Sequence, residues 1–178
     1  MNTLFLMLFL SLAGNNPADD GIPYRLLVWS DYKAPAPDNE PTVAARTITQ
    51  LAMERANTDG VYTYTVKAYF LPYSSFVRVR TNDVLRHEQT HFKIAQIMAL
   101  RCMRDLKPLQ RGDSVASNLA EEIYNRYTDQ SSARNDLFDI ETNHSLNKEA
   151  EQTWELRITE ELTKLEIAAK EANGRSRK

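Results

Sequence analysis

The stretch NDVLRHEQTHFKIAQIMALRCMRDL, residues 82–106, divides the chain into two parts of different character. Asn82 is placed to cap a helix, Asp83 falls in its first turn and Pro108 stands beyond Leu106, so the spacing predicts one helix over the whole stretch. His87, His91, Ala95, Met98 and Cys102 recur at helical spacing and form its core-facing stripe. Upstream the pattern is that of strands. In Val61–Phe70 (VYTYTVKAYF), Tyr62, Tyr64, Val66, Ala68 and Phe70 share one face and Thr63, Thr65 and Lys67 the other. Val43–Arg55 fits either a helix or the first arm of a hairpin, and the following Asn57-Thr58-Asp59-Gly60 turn favours the hairpin. Tyr24–Asp31 (YRLLVWSD) reads as a further strand, and the prolines within Ala34–Pro41 mark a loop.

Downstream the chain stays helical. Asp113 or Ser114 caps a second helix expected to end near Thr128, with a loop through Ser131, Ser132, Asn135 and Asp136. A last helix is expected from about Leu146 to Ala172, stopped by Asn173-Gly174. Strands first and helices after give an α+β fold, an N-terminal antiparallel sheet followed by a helical part. With 178 residues, the chain suffices for one domain, placed here at 24–173, with a flexible tail at 174–178.

Composition narrows the function classes. The net charge is -2 with both signs interspersed, and there is no basic block before the last few residues, so a nucleic-acid partner is not expected. Leu4–Ala13 (LFLMLFLSLA) is apolar but far short of the roughly 20 residues that span a bilayer. It suits the core of a secretory signal over residues 1–13, with Ser11 and Ala13 placed for cleavage before Gly14 and a linker at 14–23. Export to the periplasm or the medium is the expectation, without stable membrane insertion after cleavage. Cys102, the single cysteine, allows no intrachain disulfide and reads as a small buried hydrophobe.

The chemistry lies in His87-Glu88-Gln89-Thr90-His91. Two imidazoles four residues apart stand one turn above the other, so both can reach a single zinc ion at about 2.0–2.1 Å. Glu88 projects near the same face, where it can act as general base on a zinc-bound water and pass the proton to a leaving amine. Two of the three histidines in the chain fall in this motif. A catalytic zinc needs a third protein ligand and an open position. The candidates lie in Phe138-Asp139-Ile140-Glu141-Thr142-Asn143-His144. His144 is the preferred ligand, with Asp139 or Glu141 orienting an imidazole, and Glu141 or Asp139 is the alternative ligand. Tyr73, Tyr124 and Tyr127 are candidate oxyanion donors, with core packing the competing role for each. Arg111-Gly112-Asp113 is read as a helix end and cap, and Asn143-His144-Ser145 is not read as a glycosylation site.

Several segments resemble the bacterial family catalogued as domain of unknown function 922, described as probable secreted zinc-dependent proteases. They are Trp29-Ser30-Asp31-Tyr32-Lys33, Phe70–Val77, Leu85–Ala95 with its H-E-Q-x-H-F-x-I-A block, and Phe138–His144, with Gln152 and Trp154 further on. Phe76 stands where the family is expected to have Trp, and Ser145 where it is expected to have Gly. The resemblance implies a zincin-like metal helix, an aspartate–glutamate–histidine block near it, and export. The leading expectation is a secreted metallopeptidase acting on a peptide or protein substrate, with Val61–Phe70 as the edge that aligns it. A zinc-stabilised binding or adaptor protein and a zinc amidase acting on cell-wall peptides are the alternatives.

Overall fold

The computed structural model describes residues 6–7, 20–109 and 114–175, with side chains for 20–109 and 116–172. The chain is α+β. Its sheet has the order β1-β4-β5-β2, all antiparallel, from β1 (Leu6–Met7), β2 (Ile22–Pro23), β4 (Thr49–Thr58) and β5 (Val61–Phe70). A second, two-stranded sheet pairs β3 (Ala45–Arg46) with β6 (Phe76–Val77). Three helices follow: α1 (Asn82–Leu106), α2 (Ser114–Thr142) and α3 (Lys148–Arg175).

β4 and β5 form the expected hairpin, in register from Thr49↔Phe70 to Thr58↔Val61. Asp59 and Gly60 both have positive φ, 52° and 81°, which is the turn whose twist matches that of the strands it joins. The Asn57 side chain accepts the Gly60 N–H at 3.0 Å. Tyr64, Val66, Ala68 and Phe70 are buried, the face that the alternation selects. β5 is paired along its full length by β4, whereas β2 covers its other edge only at Tyr69 and Phe70.

Four boundaries differ from those the residues suggest. Tyr24–Asp31 is not a strand; the strand is Ile22–Pro23, inside the expected linker, and Trp29–Asp31 makes a single 3₁₀ turn. Side chains satisfy this backbone in place of a ladder. Asp31 accepts the Val28 N–H at 2.8 Å and the Arg25 guanidinium at 2.6 and 2.9 Å, while Gln89 Oε1 accepts the Leu27 N–H at 2.6 Å. Thr81, not Asn82, caps α1, accepting the Val84 N–H at 3.2 Å. α2 runs past Thr128 through the expected loop to Thr142. Its polar residues 131–135 find partners there, since Asn135 Nδ2 donates to the Ser131 carbonyl at 3.0 Å and Arg134 forks onto Glu161 at 2.6 and 3.1 Å. α3 begins at Lys148 and continues through Gly174. Apart from the pairing of Leu6 and Met7 with Arg55 and Ala56, the expected signal lies outside the described residues, as do Arg111–Asp113 and 176–178.

α1 packs on β5 with one side and on α2 and α3 with the other. Every residue from His87 to Phe92 is therefore buried, as are Ala95, Met98 and Cys102 of the stripe. On the sheet side Phe92 is fully buried, with ring centroids 5.1 Å from Tyr24 and 6.1 Å from Phe70. Phe92→Ala should cost about 3–5 kcal/mol, because nothing smaller fills the space between those rings. Urea unfolding checks it; a loss below about 1 kcal/mol would mean that this side is loosely packed.

Candidate metal centre

The site forms where α1 meets the C-terminal end of α2. Asn135 and Asp139 are four residues apart and share one face of α2, as His87 and His91 share one face of α1. His87 Nε2 lies 3.0 Å from Asp139 Oδ1, His91 Nε2 lies 3.1 Å from that same oxygen, and the two Nε2 atoms are 3.2 Å apart. Three potential ligand atoms thus make a nearly equilateral triangle. Behind it, His87 Nδ1 faces both oxygens of Glu151 at 3.1 and 3.2 Å, and His91 Nδ1 faces Asn135 Oδ1 at 2.8 Å. Phe138 closes the floor, stacked on His87 at 4.6 Å and edge-on to His91 at 5.1 Å, with Trp154 beneath it at 5.5 Å.

The triangle fits zinc. At bond lengths of about 2.0–2.1 Å, the corners of a tetrahedron lie roughly 3.3 Å apart, close to the separations here. The ion pairs that Asp139 and Glu151 make are with histidine, and Glu88 is buried nearby, so three carboxylates surround two imidazoles. A divalent cation would offset that excess. Burial alone would lower the pKa of His87, but hydrogen bonds to Asp139 and Glu151 outweigh it and raise it to about 9. Burial likewise works against the Asp139 carboxylate, and the same two histidines hold it well below the usual range.

Glu88 is 3 % exposed, and its Oε2 is buried without a hydrogen-bond partner. Its charge acts on His87 and also on the Tyr32 hydroxyl, whose pKa burial raises first and Glu88 second. Tyr32 itself bonds Thr47 Oγ1 at 2.8 Å.

The other candidates fall outside the triangle. His144, the preferred third ligand, is 75 % exposed in its side chain, with Nδ1 3.9 Å from Asp139 Oδ2. Asn143, His144 and Ser145 all have positive φ, 48°, 51° and 71°, and this left-handed turn carries the imidazole to the outer side of the carboxylate. Ser145, where Gly was expected, occupies a conformation that glycine adopts without strain. Glu141 turns away to accept the Trp154 indole N–H at 2.7 Å. It lines a shallow cavity beside Trp154 and Arg157. Tyr124 donates to the Leu51 carbonyl and Tyr127 to Asp105, both at 2.6 Å, and Tyr73 is exposed. Asn135 and Glu151 were not picked out from the sequence. The signal for Asn135 was there: a helix continued through Thr142 places Asn135 and Asp139 on one face.

No curated protein and no solved structure matches the chain. Residues 75–145 match the family model described as a bacterial protein of unknown function, DUF922. The matched segment carries His87, Glu88, His91 and Asp139.

Proposed function

We propose that this chain is an exported zinc-dependent hydrolase, most consistent with a peptidase, in which His87, His91 and Asp139 hold the metal. The observation that carries the reading is the triangle of two imidazole nitrogens and one carboxylate oxygen at 3.0–3.2 Å. A zinc ion held there would polarise a substrate carbonyl and lower the pKa of a water molecule toward roughly 7. Glu88 supplies the base. As the water oxygen bonds to the carbonyl carbon, Glu88 takes its proton and returns it to the amide nitrogen as the C–N bond breaks. A buried carboxylate oxygen with no partner is costly in a purely structural role, and it supports this assignment. Three protein ligands leave a position for substrate, which favours the enzyme over an adaptor with structural zinc.

The test is direct. The purified chain should carry one zinc by native mass spectrometry and should cleave a broad peptide library in a reaction that chelation stops and zinc restores. Metal-free protein after growth in ample zinc would count against the reading. Two histidines and one carboxylate also suit iron(II), so elemental analysis decides the metal. For export, a mature N-terminus at Gly14 is expected in the secreted fraction.

The pH dependence follows from His87. Its folded pKa of about 9 lies above the ordinary 6.5, so its proton stabilises the metal-free fold fully below pH 6.5. That contribution fades as pH rises through 9. Zinc replaces the proton, so binding at pH 7.5 should release about one proton, measured by calorimetry in buffers of different ionisation enthalpy. The melting-temperature gap between zinc-loaded and chelated protein should widen from pH 6.5 to 9. A constant gap would mean that His87 is already neutral without metal.

A further inference from the structure

We infer that Glu151, in the first turn of α3, is a positioning residue of the metal centre, fixing the ring of His87 and its protonation pattern. The inference rests on the proposed metal reading, and it extends the centre beyond residues 75–145 to a helix that the family match does not reach. Glu151 is 5 % exposed, and both its oxygens approach His87 Nδ1. A carboxylate only accepts, so Nδ1 must carry a hydrogen, and Nε2, which faces Asp139 Oδ1 at 3.0 Å, is the nitrogen that gives up its proton when a metal binds.

The two imidazoles are held differently. His91 Nδ1 meets a neutral amide oxygen, whose orientation is set because Asn135 Nδ2 donates to the Ser131 carbonyl. His87 Nδ1 meets a buried anion, a stronger hydrogen bond that raises the basicity of Nε2. Glu151 is itself well placed. Asn147 caps α3, accepting the Ala150 N–H at 3.2 Å through its side chain and the Glu151 N–H at 3.0 Å through its carbonyl. The helix N-terminus also favours a carboxylate in this turn. The Phe138 and Trp154 rings beneath His87 join the same part of α3 to the floor of the site.

The experiment compares wild type, Glu151→Gln and Glu151→Asp by zinc titration against a competing chelator, by the visible spectrum of the cobalt(II) form, and by melting of the chelated proteins. Glu151→Gln keeps the shape but can turn its NH₂ toward Nδ1 and impose the wrong tautomer. Its zinc affinity should fall about 10–100-fold, with an altered cobalt spectrum. Glu151→Asp, which keeps the charge, should recover part of that affinity. Wild type and Glu151→Gln with equal zinc affinity would overturn the inference and leave the metal reading standing. So would a loss matched by equal destabilisation of the chelated protein, which marks a structural role. Wild type that binds no metal would overturn both.

Discussion

Glu88→Gln is expected to lower peptide hydrolysis about 10²–10⁴-fold, the usual contribution of a general base, while zinc content stays at one per chain. The substitution keeps the shape and removes only the proton acceptor. Because Oε2 of Glu88 has no hydrogen-bond partner, no bond is lost in the exchange. It also removes a buried negative charge from beside two other carboxylates, so the variant should melt at least as high as wild type. Lost activity with retained stability and metal is a combination that a structural role does not produce. Wild-type cleavage by the variant would separate the metal from this glutamate, and the adaptor with structural zinc would become the better account.

Asp139→Ala is expected to weaken zinc binding by more than the roughly 100-fold that marks the upper end for a residue outside the ligand set, and activity should disappear with the metal. His144→Ala gives the contrast. Its imidazole lies beyond Asp139 Oδ2 and is largely exposed, so zinc affinity should remain within a few-fold of wild type. Competition with a chelator reads both variants. The reverse result, with His144→Ala losing zinc and Asp139→Ala keeping it, would restore His144 as the third ligand.

Much of the frame is legible in the residues, because it rests on periodicity. The alternation of Val61–Phe70 and the stripe from His87 to Cys102 identify β5 and α1 from local pattern alone. Two regions escape that logic. Arg25 to Asp31 is apolar enough for a strand, but Asp31 and Gln89 satisfy its amides through side chains, and the Gln89 contact spans 62 residues. The second half of α2 holds Ser131, Ser132 and Asn135, which locally favour turns. Their helical state depends on Arg134 reaching Glu161 in α3 and on Asn135 reaching His91 in α1. The proposed ligand set was hidden for the same reason. His144 stands out by residue type, but helical geometry favours Asp139, and only tertiary packing brings Glu151 behind His87.

The side chain of Gln89 accepts the Leu27 N–H at 2.6 Å and donates to the Arg25 carbonyl at 3.4 Å. Gln89 is the residue next to Glu88, and Leu27 lies five residues before Tyr32, whose hydroxyl feels the Glu88 charge. The segment from Arg25 to Leu27 is thus tied directly to the helix that carries Glu88. In hydrogen exchange, the amide of Leu27 should open with α1 on the slow timescale of the core, although it belongs to no strand or helix. One amide side chain thus ties this segment to α1, while the Tyr24 N–H, donated to the Ala68 carbonyl at 3.1 Å, ties its start to β5.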